Sequence, residues 1–142
     1  HIHFAAIVHD IGKIQIPEQI LNKRGALDNS ELAIMRKHPE LGYHLLKKIK
    51  PESIAARVAL QHHERLDGSG YPFGLGARDI DPITKIISVA DVIDTMVSPQ
   101  VYRPTLTIED ALQEIKQNSG FLYDSEVAAV CLVLIEKGGF CV

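Results

Sequence analysis

The sequence predicts a single all-α domain. Apolar residues recur at helical spacing, no stretch shows sustained apolar–polar alternation, and Pro and Gly cut the chain into segments of helix length. A length of 142 residues allows one domain, and 46% hydrophobic with 23% charged residues is enough to build a core.

The elements follow in order. The run Phe4-Ala5-Ala6-Ile7-Val8 predicts a helix over about residues 1–12, stopped at Gly12. Residues 14–27 carry Pro17 and Gly25 and read as an irregular connector with at most one short turn. Asp28-Asn29-Ser30 offers N-cap oxygens to a helix over 31–37, with Leu32, Ile34 and Met35 as its apolar side. Pro39 suits the first turn of the next helix, which carries Leu41, Leu45, Leu46 and Ile49. Pro51 is expected to open a helix running through Ile54, Val58 and Gln61 to His63. Residues 64–82 are too rich in Gly and Pro to be regular. A long helix is expected after Pro82, then a break between Pro99 and Pro104. Thr107 caps the next helix, and Asp124 or Ser125 caps the last.

The ends of the chain add a further expectation. The first helix has no capping residue ahead of it, and Val127 to Ile135 is apolar on nearly every face. Together they predict an N-terminally truncated fragment of a longer multidomain protein, with preceding helices missing.

Composition excludes several classes of function. A net charge of −3 argues against a general DNA or RNA binder, which needs a broad basic surface. Cys131 and Cys141 are too few for a disulfide scaffold and suit a reducing, cytoplasmic setting. No apolar run approaches the ~20 residues that cross a bilayer, so no membrane contact is expected from this segment.

The histidines stand out. Four of the seven, His9, His38, His62 and His63, fall at expected helix ends or beside breaks, whereas His1, His3 and His44 read as structural or surface residues. Imidazole with carboxylate suits divalent Fe, Mn, Ni or Zn, and a carboxylate such as Asp10 can bridge two ions where an imidazole cannot. Asp91 lies among Ile87, Val89, Ala90 and Val92, where an ionised carboxylate needs a cation or hydrogen bonds. A metal, Lys85 or Arg103 are its candidate partners.

Four segments carry a resemblance. His9-Asp10-Ile11-Gly12-Lys13, Lys37-His38-Pro39-Glu40-x-Gly42, His62-His63-Glu64-Arg65-x-Asp67-Gly68-Ser69-Gly70-Tyr71-Pro72 and Val89-Ala90-Asp91-x-x-Asp94 resemble the HD-GYP family of metal-dependent phosphohydrolases in order and spacing. The likeness runs from about residue 3 to residue 132. It implies an HD-domain-like helical bundle with an irregular Gly-rich loop and two or three divalent metal ions, Fe or Mn before Ni or Zn. It implies hydrolysis of cyclic di-GMP to the linear dinucleotide or GMP. His9, Asp10, His38, His62, His63 and Asp91 would be metal ligands with Asp10 bridging, Lys13 would face the scissile phosphate, and Asp94, Tyr71 and Arg103 would line the nucleotide pocket. Contact with a diguanylate cyclase through the loop, and an upstream sensory or receiver domain, also follow from the resemblance.

The chemistry agrees with such roles. A phosphodiester is anionic and resists attack, so a site that cleaves it must supply positive charge and an activated water. Residues 66–76 are no Walker A loop, because the Gly-Lys-Ser/Thr ending is missing.

Two departures from the family pattern stand in this chain. The family supplies a further His ligand about thirty residues before the His-Asp pair, a position this chain does not contain. Gln100 also stands in Ser98-Pro99-Gln100-Val101-Tyr102-Arg103, where the family has its first Arg. The competing readings are therefore a phosphohydrolase for another nucleotide, or a sensor or docking domain that retains metal without turnover.

Overall fold

Residues 1–99 and 106–138 of a computed structural model are described here; Gln100, Arg103 and Cys141, named above, lie outside them. Among the described residues there are eight α-helices: α1 Ile2–Val8, α2 Glu18–Leu21, α3 Asn29–Met35, α4 His38–Ile49, α5 Ile54–Gln61, α6 Pro82–Val97, α7 Ile108–Gln117 and α8 Ser125–Glu136. A 3-10 turn spans Ile11–Gln15, and the only extended pairings among these residues are isolated bridges, as between Asp67 and Gly76. The all-α expectation holds.

Capping chemistry sets most of the starts. Asp28 accepts from the backbone N–H of Ser30 and Glu31 while Glu31 reaches back to the Asp28 N–H, a full capping box. Thr107 and Asp110 repeat the arrangement at α7. Asp81 caps α6 with Pro82 in its first turn, and Asp124 caps α8.

Two boundaries differ from expectation. α5 begins at Ile54 rather than Pro51, because the Ser53 hydroxyl accepts from the Ala56 N–H at 3.1 Å and fixes the start there. α1 stops at Val8 rather than Gly12, and Gly12 acts by close approach instead of as a helix stop. A Cβ on Gly12 would fall 1.9 Å from the His38 carbonyl oxygen and 2.5 Å from the Gly42 nitrogen. The 3-10 turn therefore presses backbone to backbone on α4, with Asp10 at its start (φ −95°, ψ 8°) turned into the same region.

The helices enclose two apolar clusters that share α6. The first joins α1, α4, α5 and the early part of α6 through Ala5, Leu46, Ala55, Ala56, Val58, Ala59 and Ile87. Four of those seven are alanines, which lets the helices pack closely. The second joins the later part of α6 to α7 and α8 through Val89, Ile93, Ala111, Ile115, Tyr123 and Ala128. Asp91 lies on α6 between Val89 and Ile93, in the stretch that serves the second cluster. Only one side of α8 is covered by described residues; Val130, Val133 and Leu134 stay about half exposed, short of the cover on several sides that its apolar composition led us to expect.

The irregular segment between α5 and α6 hangs on one buried side chain. Glu64 is 2% exposed, and its carboxylate accepts from the Phe73 and Leu75 N–H groups, each at 2.8 Å. The Tyr71 N–H donates to the His63 carbonyl at 3.2 Å, and a Cβ on Gly70 would lie 2.4 Å from the Glu64 Cα. The loop is thus folded back on the end of α5 where the two histidines sit.

The Gly12 contact yields a direct test. Gly12→Ala is expected to lower unfolding free energy by about 1–3 kcal/mol, the range for forcing extra atoms into a packed site. Urea denaturation measures it, and an unchanged midpoint would contradict the close approach.

Candidate metal centre

Three histidines are oriented by their own backbone. His9 Nδ1 lies 2.6 Å from the Ala6 carbonyl oxygen, His38 Nδ1 2.8 Å from that of Met35, and His62 Nδ1 3.0 Å from that of Ala59. A carbonyl only accepts, so each Nδ1 carries the proton and, in a neutral ring, each Nε2 presents a lone pair. Those Nε2 atoms converge. His38 Nε2 is 3.3 Å from His62 Nε2, and the two lie 3.1 and 3.6 Å from Asp10 Oδ1. His38 and His62 are 1% and 0% exposed.

Acceptors have been brought together, and the donor that meets them is Lys13, on Asp10 Oδ2. Asp10 Oδ1 and His9 Nε2 are buried and lack a hydrogen-bond partner among the described residues. That arrangement costs free energy unless a cation occupies it. Ligating atoms of Asp10, His38, His62 and His63 all fall within 4.8 Å of one another, a spacing that fits a divalent ion. Backbone carbonyls fixing the far nitrogen are the outer-shell support usual for metal-binding imidazoles.

Asp10 faces two groups of ligands. Its Oδ1 meets His38 and His62, while its Oδ2 lies 3.5 Å from His9 Nε2 and accepts from Lys13. His9 Nε2 is also 3.3 Å from Asp91 Oδ1, which brings α1 and α6 together at this point. The six expected ligands thus form one constellation, with Asp10 between a His38–His62–His63 side and a His9–Asp91 side. Asp91 meets His9 rather than Lys85, whose ammonium lies 3.5 Å from Asp124.

The electrostatics divide the histidines. Burial pushes His62 and His63 down from the ordinary 6.5, so both rings are neutral near pH 7. Burial alone would lower His9 too, but the Asp91 carboxylate beside its Nε2, the Ala6 carbonyl on its Nδ1 and the charge of Asp10 outweigh it and raise its pKa. Burial would raise Asp10, yet contacts from His38, His62 and Lys13 hold it well below the usual carboxylate range. Asp91 is likewise held down, through His9 and the neighbouring imidazoles.

The other expected residues are placed unevenly. Lys13 is on Asp10, with its side chain 43% exposed. Tyr71 stacks on His63 with ring centres 4.7 Å apart and planes at 23°, and burial pushes its phenol up, keeping it protonated. Asp94 is exposed, accepts from the Ser98 hydroxyl at 3.3 Å, and lines an apolar groove between α6 and α8. His1, His3 and His44 are exposed.

Two residues had no assigned role in the sequence reading. Glu64 holds the loop, as described. Arg65 donates to the carbonyls of His62 (3.3 Å) and Glu64 (2.9 Å) and to the Ser88 hydroxyl (3.0 Å), tying the end of α5 to α6 three residues before Asp91. The acidic and basic pair following His62-His63 was the available signal, but nothing in its spacing told structural from catalytic use.

Comparison with known proteins follows the same lines. Residues 1–127 match the family described as HD domain. A cyclic di-GMP phosphodiesterase of Thermotoga maritima is 45% identical over 135 residues, covering 94% of this chain and 37% of that protein. The cyclic di-GMP phosphodiesterase response regulator RpfG of Xanthomonas campestris is 42% identical, covering 87% of this chain and 33% of its own length. A 3′3′-cGAMP-specific phosphodiesterase of Vibrio cholerae is 38% identical, covering 94% and 28%. The chain therefore spans about a third of these relatives. Among solved structures, Bd1817, an HDG"Y"P protein from Bdellovibrio bacteriovorus, superposes with a TM-score of 0.74 at 20% identity, covering 95% of this chain and 43% of that one. With the fold, the ordered His and Asp constellation and the Gly-Tyr-Pro loop in place, the chain belongs to the HD domain family.

Proposed function

We propose that this domain belongs to a metal-dependent phosphodiesterase that hydrolyses cyclic di-GMP to the linear dinucleotide or GMP. The observation that carries the reading is the meeting of lone-pair nitrogens with the Asp10 carboxylate, an acceptor cluster suited to divalent ions. The relatives' names supply the substrate class. His38, His62, His63 and one oxygen of Asp10 would hold one ion; His9, Asp91 and the other oxygen would contribute to a second. Ions so held would offset the phosphodiester's charge and activate water for attack.

The chain's own groups set the rest. The backbone carbonyls of Ala6, Met35 and Ala59 keep the imidazoles in the ligating tautomer. Lys13 holds a compact positive charge beside Asp10, where negative charge builds on the phosphate in the transition state. In this reading Tyr71, stacked on His63, lines the nucleotide pocket with Asp94 and Arg103. Iron or manganese is the proposed native metal. No helix of the described residues is long and apolar enough to cross a membrane, and a cytoplasmic setting with an upstream sensory or receiver domain and a diguanylate cyclase partner belongs to the same proposal.

Gln100 supports a second reading, in which 3′3′-cGAMP is the preferred substrate, as the name of the Vibrio relative suggests. Parallel turnover of the two cyclic dinucleotides by the full chain separates them.

Asp10→Ala and His62→Ala are each expected to strip bound metal and reduce turnover by about a hundredfold or more, while the exposed His44→Ala retains both. Elemental analysis beside a hydrolysis assay reads the outcome; full metal content in Asp10→Ala would contradict the assignment.

Acid should act on the metal-free protein. His62 and His63 have folded values below 6.5, so the unfolded chain takes up protons first and stability falls as pH drops through that value. His9, raised, opposes this and adds stability below 6.5. Burial of the His62–His63 pair, deeper than that of His9, predicts a lower unfolding midpoint at pH 5.5 than at 7.5 in chelator; a rise would contradict the neutral, buried pair.

A further inference from the structure

Arg36 ends α3 two residues ahead of His38, and its guanidinium carbon lies 5.1 Å from the centre of the Tyr71 ring. Tyr71 stacks in turn on His63. Guanidinium, phenol ring and imidazole thus form a series leading from an exposed arginine to the acceptor cluster.

The charge on Arg36 is unspent. Among the described residues no carboxylate forms an ion pair with it. Two other cations near the site are already engaged, Lys13 with Asp10 and Arg65 with two carbonyls and Ser88. The backbone that carries Arg36 is well held. Its N–H donates to the Leu32 carbonyl at 2.9 Å, and α3 is fixed at its start by the capping box and by the Lys23–Glu31 ion pair.

A cyclic dinucleotide contains two phosphodiesters, of which one at a time is attacked. The other keeps a full negative charge, close to a site rich in carboxylates. A guanidinium offers five N–H donors in a plane and can grip a phosphate with two of them, while its attraction to an aromatic ring leaves donors free. We propose that Arg36, seated on Tyr71, binds the phosphodiester that is not being cleaved. The inference rests on the cyclic-dinucleotide reading above.

The test compares the metal-loaded full chain with Arg36→Gln and Arg36→Lys on two substrates, cyclic di-GMP and bis(p-nitrophenyl) phosphate, which has a single phosphodiester. Arg36→Gln should raise KM for cyclic di-GMP roughly ten- to a hundredfold, with kcat within about threefold and cleavage of the single diester unchanged. Arg36→Lys, which keeps the charge without the fork, should fall between. Equilibrium binding of cyclic di-GMP reads the same ratio without turnover. An unchanged KM and affinity in Arg36→Gln overturns the assignment and leaves the substrate reading standing. Equal losses on both substrates also overturn it, because they locate the damage at the centre itself. A wild-type chain that cleaves the single diester yet neither binds nor cleaves cyclic di-GMP or 3′3′-cGAMP overturns the substrate reading, and the Arg36 assignment with it.

Discussion

Three imidazole N–H groups given to backbone carbonyls decide what the centre of this domain can be. Once Ala6, Met35 and Ala59 take the Nδ1 protons of His9, His38 and His62, lone pairs are turned inward. They meet a carboxylate that is also an acceptor. Elsewhere among the described residues donors meet acceptors in the capping boxes and the Glu64 bridge, with the Thr84 hydroxyl the one other buried polar atom left without a partner. Among the described residues this is where buried acceptors are gathered, an arrangement that a divalent cation would satisfy.

The rest of the architecture serves that convergence. Gly12 and Gly42 let the Asp10 turn lie directly on α4, which brings Asp10 to His38. The alanine-rich first cluster draws α1 and α5 together, which brings His9 near His62, with ring centres 4.9 Å apart. α6 spans both clusters and presents Asp91 from the stretch that serves the second. Arg65 and Glu64 then fasten the far end of α5 and its loop, so Tyr71 is stacked on His63 rather than free in solvent. Close packing of small residues and a few buried polar bridges replace any large core beneath the site.

Much of this was legible in the sequence, for identifiable reasons. Helix starts at Asp28, Asp81, Thr107 and Asp124 follow from local capping chemistry, which needs only a few neighbouring residues. The six candidate ligands came from the family resemblance of four short motifs in order, and the structure brings the six residues near one another. What could not be read is long-range. Gly12 resembled a helix stop because its close approach to the His38 carbonyl lies outside any local window. Pro51 looked like a helix start, but Ser53 had the better acceptor. Asp91 could have met Lys85, and only the tertiary arrangement sent Lys85 to Asp124 and Asp91 to His9. Arg36 drew no notice at all, since a lone arginine gains meaning only once the Gly-rich loop folds back beneath it.

The central claim is that the acceptor cluster is built for a cation, and metal titration of chelator-stripped full chain tests it most directly. Thermal unfolding at pH 7.5 should shift upward as Mn2+ is added. The shift should correspond to about 2.7 kcal/mol once free metal reaches a hundred times its dissociation constant. Absence of any shift with Mn2+, Fe2+, Ni2+ or Zn2+, in a chain that circular dichroism shows to be folded and helical, would contradict the account.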